Sequence, residues 1–99
     1  MEKYVRLASE NPAKLWGFYP QKGSLLPGTD ADVTIVDMER EETICNSALH
    51  GRSKEGVFDG AKTKGKAVSA LVRGRFILKD GMLLTEPGYG RLVRPMVHP

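Results

Sequence analysis

Along the first sixteen residues, Tyr4, Val5, Leu7 and Ala8 are spaced to share one helical face, and Leu15 and Trp16 add apolar bulk. Pro12 disfavours the α conformation at Asn11 and suits the first position of a new turn, which Ser9 or Asn11 can cap. The pattern predicts two helical pieces, about 2–8 and 10–16, with Gly17 closing the second. Residues 18–32 then turn repeatedly, through Phe18-Tyr19-Pro20-Gln21-Lys22-Gly23 and Leu26-Pro27-Gly28-Thr29-Asp30. Ser24-Leu25-Leu26 between them is a candidate short strand.

Period-two and β-branched patterning takes over next. Asp32-Val33-Thr34-Ile35-Val36-Asp37-Met38 reads as a strand bounded by acids, and Glu42–Cys45 as a second short one. Residues 47–66 carry four glycines and six basic residues counting His50, follow neither period, and read as a long loop. Ala67–Val72, Arg75–Leu78 and Met82–Leu84 form a three-stranded meander, joined by Arg73-Gly74 and by Asp80-Gly81, a pair suited to a type I′ turn. The tail from Glu86 to Pro99, with three prolines and two glycines, reads as an extended arm. The expected fold class is mainly β: a helical segment over 1–17, a partial β-sandwich over 18–84 containing loop 47–66, and an arm over 85–99.

Size narrows this picture. At 99 residues and 10.9 kDa the chain holds one small domain, whereas a (β/α)₈ barrel needs roughly 200 residues or more. Net charge is +3, unevenly placed: residues 1–46 hold five Lys/Arg against eight Asp/Glu, and residues 47–99 hold ten against four. Cys45 is the single cysteine, so nothing in the sequence asks for an oxidising compartment. No apolar run approaches the ~18 residues of a membrane span, and MEKYVRLASE lacks the apolar core of a signal peptide. A cytoplasmic protein with no membrane contact is the expectation.

Candidate chemistry is thin. The histidines, His50 and His98, stand far apart; with Cys45, Asp30, Asp32 and Asp59 they give no ligand spacing such as H-x-H or C-x-x-C. Cys45 reads as a small buried hydrophobe at a strand end. Asp30, Asp32 and Asp37 read as turn and strand-end acids rather than a general acid/base pair. The glycines match no phosphate-cradling pattern. Lys62, Lys64, Lys66, Arg73, Arg75 and Lys79, with Phe76 and Tyr89 nearby, could line a basic face for nucleic acid or an acidic partner. The modest charge and few aromatics favour a solvated face instead, so nucleic acid is not the expected partner.

Three segments in order carry a resemblance. Gly23-Ser24-Leu25-Leu26-Pro27-Gly28-Thr29-Asp30-Ala31-Asp32-Val33-Thr34-Ile35-Val36-Asp37 resembles the post-barrel signature of the amidohydrolase superfamily, a glycine, a short apolar strand, G-x-D-A-D and an apolar strand ending in Asp. Ahead of it, Ser9–Gly17 resembles the short helix that leaves the barrel. Behind it, Phe58-Asp59-Gly60, Lys64-Gly65-Lys66-Ala67-Val68 and Val72-Arg73-Gly74-Arg75-Phe76 resemble the cyclic amidohydrolases: dihydroorotase, hydantoinase (dihydropyrimidinase) and allantoinase. Val57 stands where the dihydroorotase pattern often has Pro. The match covers roughly residues 3–95.

The resemblance implies the C-terminal portion of an enzyme that hydrolyses a ring amide C–N bond with one or two divalent metals, usually zinc, held in a barrel. It implies a small β-sandwich completed by strands from elsewhere in the full chain. The H-x-H pair, carbamylated Lys and further ligands of the family have no counterpart here, so no catalytic or metal-binding residue and no cofactor is assigned to this chain; substrate-binding residues stay unknown. The expected role is structural, closing the sandwich and packing on the missing barrel or a second copy, with Val33, Ile35, Val68, Ala70, Phe76 and Leu78 supplying apolar packing. Two other readings stay open: a standalone binding module using the basic face, and a small enzyme using His50 and Cys45.

Overall fold

A computed structural model describes residues 1–96. His98, and the last residues of the arm, lie outside the described residues. The helical segment is one rod rather than two pieces: α1 (Glu2–Val5), a π-helical turn (Arg6–Glu10) and α2 (Asn11–Leu15) follow without a break. The Asn11 N–H donates to the Arg6 carbonyl, five residues back. That wider turn falls just ahead of Pro12, which has no N–H and whose ring would collide with a carbonyl in regular α geometry. Ser9 and Asn11 therefore cap nothing, and helix-to-helix continuity needs no cap. Gly17 does close the rod: at φ +81 it lets Phe18 N–H reach the Ala13 carbonyl (2.8 Å) and Gly17 N–H reach that of Lys14 (3.3 Å), a Schellman arrangement.

Residues 18–32 are turns and irregular backbone, and the strand expected at Ser24–Leu26 is not formed. Local bonds take its backbone instead: the Leu26 N–H donates to Ser24 Oγ (3.4 Å), and Thr29 Oγ1 donates to the Leu26 carbonyl (2.8 Å).

The four strands β1 (Val33–Thr43), β2 (Lys62–Val72), β3 (Arg75–Lys79) and β4 (Met82–Leu83) make one antiparallel sheet in sequence order. β1 is a single long strand where two short ones were expected. The polar interruption at Glu39–Glu41 corresponds to a bulge, in which Met38, Glu39 and Arg40 stand against Gly65 between the pairs Asp37↔Lys66 and Glu41↔Lys64. β2 begins at Lys62, inside the stretch expected to be loop. Its Lys and Gly residues have weak strand preference, and pairing opposite acidic β1 decides the conformation. Both hairpin turns have two central residues at positive φ, Arg73-Gly74 at 49° and 79° and Asp80-Gly81 at 50° and 81°, as a type I′ turn requires.

Almost nothing is enclosed. Among the described residues the buried ones are Ala13 and Ser69. Ala13 lies under Gly23, and the Ser69 hydroxyl accepts the Asp80 N–H. The helical rod touches no strand. Val33, Val68, Ala70, Phe76 and Leu78 are half-buried, while Ile35 is exposed. The chain exposes 8232 Å², where a folded monomer of this mass exposes roughly 5,600 Å². Its radius of gyration is 15.6 Å, against about 13 Å for a compact chain of this length.

The contact under Gly23 can be tested. At φ +79, a Cβ there would sit 2.6 Å from the Ala13 Cβ and 2.9 Å from the Ser9 carbonyl oxygen. Gly23→Ala should cost about 2–4 kcal/mol through left-handed strain plus overpacking. Gly60→Ala, at φ +85 in open space, should cost about 1–2 kcal/mol through strain alone. Urea unfolding midpoints of the two variants check this order.

Candidate functional site

The densest polar cluster gathers the G-x-D-A-D segment, the β2–β3 turn and the tail. Asp32 is its centre. One carboxylate oxygen accepts the Arg73 N–H at 2.9 Å, and the other pairs with the Lys22 ammonium, which also reaches Asp30 at 3.0 Å. Gln21 Nε2 donates to Asp30 Oδ2 at 3.1 Å, and the Asp30 N–H returns to the Gln21 carbonyl at 3.1 Å. Gly74 N–H bonds the Ala31 carbonyl at 2.9 Å. The Arg73 guanidinium donates to the Tyr89 carbonyl and lies 4.3 Å from the Tyr89 ring centroid; Arg75 stacks on the same ring at 5.1 Å, and the Tyr89 hydroxyl donates to the Val72 carbonyl at 2.8 Å.

This geometry explains why Arg73 holds a left-handed conformation that a side chain ordinarily disfavours by about 1–2 kcal/mol. Its N–H, guanidinium and flat face are each occupied, and all three contacts require the turn to point this way. Electrostatics agree with the geometry. The Lys22 hydrogen bond, then Gln21, holds the Asp30 carboxyl below the ordinary carboxylate range. Partial burial pulls the Lys22 ammonium down, but its bonds to Asp32 and Asp30 outweigh that and leave it raised. These acids are ion-paired and hydrogen-bonded structural groups, and they reach well beyond the local turn contacts that the sequence suggested.

The other candidates stay apart. Cys45 is exposed, not a buried hydrophobe; it borders a short 3₁₀ turn (Asn46–Ala48), and the Ser47 hydroxyl 2.9 Å away lowers its thiol pKa. A strand end that runs into a surface turn leaves nothing to cover it. Asp59 accepts the Asn46 N–H at 2.8 Å, and His50 is exposed. Among the described residues no three His, Cys, Asp or Glu side chains come together as a metal would need. The expected basic face is largely engaged from within: Lys64 pairs with Glu39 at 3.2 Å, Lys66 pairs with Glu42, and Lys79 lies 5.1 Å from the Phe76 ring.

A large set of apolar side chains is uncovered as well. Tyr4, Leu7, Leu15 and Trp16 on the rod, Val57 and Phe58 at the loop tip, and Ile35, Val36 and Met38 on β1 are all exposed. Scattered apolar side chains are normal on a surface, but a rod whose apolar stripe meets nothing and an edge strand apolar on both faces are not. The sequence carried this signal in its amphipathic start and its short length.

Comparison with known proteins places the chain. Residues 1–77 match the family model of the amidohydrolase family. The L-hydantoinase of Paenarthrobacter aurescens is 39% identical over 93 residues, 94% of this chain and 20% of that protein. A D-phenylhydantoinase of Escherichia coli is 39% identical over 101 aligned residues, 100% of this chain and 22% of that protein. Among solved structures, the L-hydantoinase (dihydropyrimidinase) from Arthrobacter aurescens superposes with a TM-score of 0.89 at 38% identity, over 92% of this chain and 20% of that one. The dihydropyrimidinase from Brevibacillus agri gives 0.91 at 31% identity, over 100% and 22%. The chain thus spans about a fifth of the length of the curated relatives it matches.

Asp32→Ala removes the acceptor of the Arg73 N–H and one of the two carboxylates that hold Lys22, so amide exchange at Arg73 and Gly74 should quicken by roughly tenfold or more. The pH dependence has two sides. The share of stability from Asp30 is complete above the ordinary carboxylate pKa and is lost as pH falls through its lowered folded value. That from Lys22 is complete below the ordinary lysine pKa and is lost as pH rises through its raised one. Exchange at these amides, corrected for intrinsic rates, should stay flat through neutral pH and accelerate only at the acid and alkaline ends.

Proposed function

The chain belongs to the amidohydrolase family, and we propose that it is the C-terminal β-rich portion of a cyclic amidohydrolase of the hydantoinase and dihydropyrimidinase kind, with a structural role of its own. One observation carries this reading. A helix and a sheet that enclose two of the described residues, and that expose about half again the surface of a folded monomer, are shaped to lie against a larger body. In such an enzyme the sheet would form one layer of a β-sandwich, and the apolar stripe of the rod would pack on a barrel. That barrel, or a second copy, is the proposed partner, and the cytoplasm the proposed location. The names of the relatives favour hydantoin and dihydropyrimidine rings over dihydroorotate or allantoin, and Val57 agrees with that choice.

In the whole enzyme a divalent metal would activate water and polarise the ring amide carbonyl. The donors described here do not fit such an ion. Asp30 and Asp32 hold Lys22, Asp59 holds the Asn46 N–H, and Cys45 holds Ser47. No step of ring opening is assigned to these residues. Their contribution is to fix the β2–β3 turn, the tail and the segment after the rod in one arrangement, which a larger body can then pack against.

The purified chain, supplied with Zn²⁺, Mn²⁺ or Co²⁺ and given hydantoin or dihydrouracil, should open neither ring above the protein-free rate, as read by chromatography of the products. Turnover above that rate, abolished in Cys45→Ser or His50→Ala, would place the chemistry in this chain and overturn the proposal.

A further inference from the structure

The two type I′ turns of the sheet are built differently. Asp80-Gly81 has at its first central position a residue that such turns favour, whereas Arg73-Gly74 has an arginine held at φ 49°. Asn or Asp would serve the Arg73 turn with less strain, since the bond to Asp32 is made by the backbone N–H and not by the side chain. What the side chain supplies is a hold on the arm. Its guanidinium donates to the Tyr89 carbonyl and lies 4.3 Å from the Tyr89 ring centroid. Arg75, at 5.1 Å, and the bond from the Tyr89 hydroxyl to the Val72 carbonyl seat the ring on the same turn, but only Arg73 also grips the arm's backbone. A strained residue kept where its own turn does not need it is evidence of work done elsewhere.

We propose that the arm from Glu86 to Met96 is a strap that fixes the direction of the helical rod on the sheet, with the Arg73 side chain as its latch. The rod touches no strand and reaches the sheet by two routes. One is the segment 18–32, clasped at Asp32, and a single attachment leaves a rod free to swing. The other is the arm, held at Tyr89 and again at the end of the rod, where the Met96 N–H donates to the Gly17 carbonyl at 2.8 Å. The strap lies close there: a Cβ on Gly17 would sit 3.2 Å from that of Pro95. From Tyr89 to Met96 is seven residues, a leash of at most about 25 Å. With the latch open, the last fixed point falls back to Leu84, whose N–H bonds the Ile77 carbonyl. The leash then runs twelve residues, at most about 43 Å. This goes beyond the structural role proposed above, and the two fail separately: ring opening by the chain would overturn that role and leave the strap standing.

Arg73→Asn tests this, because it gives the turn the Asn-Gly pair that type I′ geometry favours. The β2–β3 amides should stay as protected as in the wild-type chain, since the turn and its backbone bond to Asp32 are kept. Exchange at the Met96 amide should quicken by about twofold or more, the entropy of the longer leash setting the lower bound. Tyr89→Ala, which removes the ring and hydroxyl and leaves Arg73 in its turn, should loosen Met96 at least as much. Rod direction is read separately. In a Cys45→Ser background, nitroxide labels at Leu15→Cys on the rod and Lys62→Cys on β2, both exposed positions, should give one narrow distance distribution by pulsed electron resonance. Adding Arg73→Asn should broaden it. A wild-type Met96 amide that exchanges at its intrinsic rate would overturn the inference, as would a broad distribution before the latch is changed. So would Arg73→Asn or Tyr89→Ala leaving Met96 exchange unchanged, Arg73→Asn leaving the distribution narrow, or loss of β2–β3 protection in Arg73→Asn, which would assign the arginine to its turn.

Discussion

Asp32 binds together parts of the chain that have no hydrophobic core to join them. Its carboxylate ties the ammonium of Lys22, ten residues before it, to the backbone of Arg73, forty-one residues after it. Through Arg73 the tie extends to Tyr89 in the tail. A surface ion pair between two long, mobile side chains contributes little. Here the carboxylate is short, less than a third exposed, and shared between a charged donor and a backbone N–H, which is the arrangement in which such bonds are strong. The tail then runs on to the end of the rod, where Met96 N–H meets the Gly17 carbonyl at 2.8 Å. Polar ties and one extended strap therefore hold the rod and sheet, which do not touch, in a common frame.

Such a frame settles where the elements sit without supplying much driving force. A four-stranded sheet needs an apolar face against something, and an amphipathic helix of this length is marginal in water without a packed stripe. The apolar residues that would supply that force are present, on the rod, on β1 and at Val57-Phe58, and they face outward. The composition is that of an ordinary globular chain, so the small core does not come from a lack of hydrophobic residues.

How much of this was legible in the sequence depends on what decides each element. The β2–β3–β4 meander was, because Arg73-Gly74 and Asp80-Gly81 set their turns locally. So was Gly17, which ends the rod by its own backbone freedom. The N-terminal half of β2 was not: Lys62–Lys66 reads as loop until it is laid against Glu39, Glu41 and Glu42, a pairing some twenty residues distant. The break at Pro12 looked like a boundary because a π turn leaves no mark in a hydrophobic period. Cys45 was read as buried from its residue type, and exposure is a property of what covers it.

The same reasoning separates family from chemistry. G-x-D-A-D is the most recognisable stretch of the chain, and a pair of acids two residues apart invites a catalytic or ligand reading. Each of those carboxylates is instead held by Lys22, and Asp32 also supports a strained residue of the β2–β3 turn. A motif of this kind marks the fold because the fold needs it at that place: only a short acid in that position reaches both Lys22 and the Arg73 backbone. Function is carried by sites, and a fold-forming motif does not supply one. In this chain the acids of the motif therefore do mechanical work, tying the segment after the rod to the β2–β3 turn.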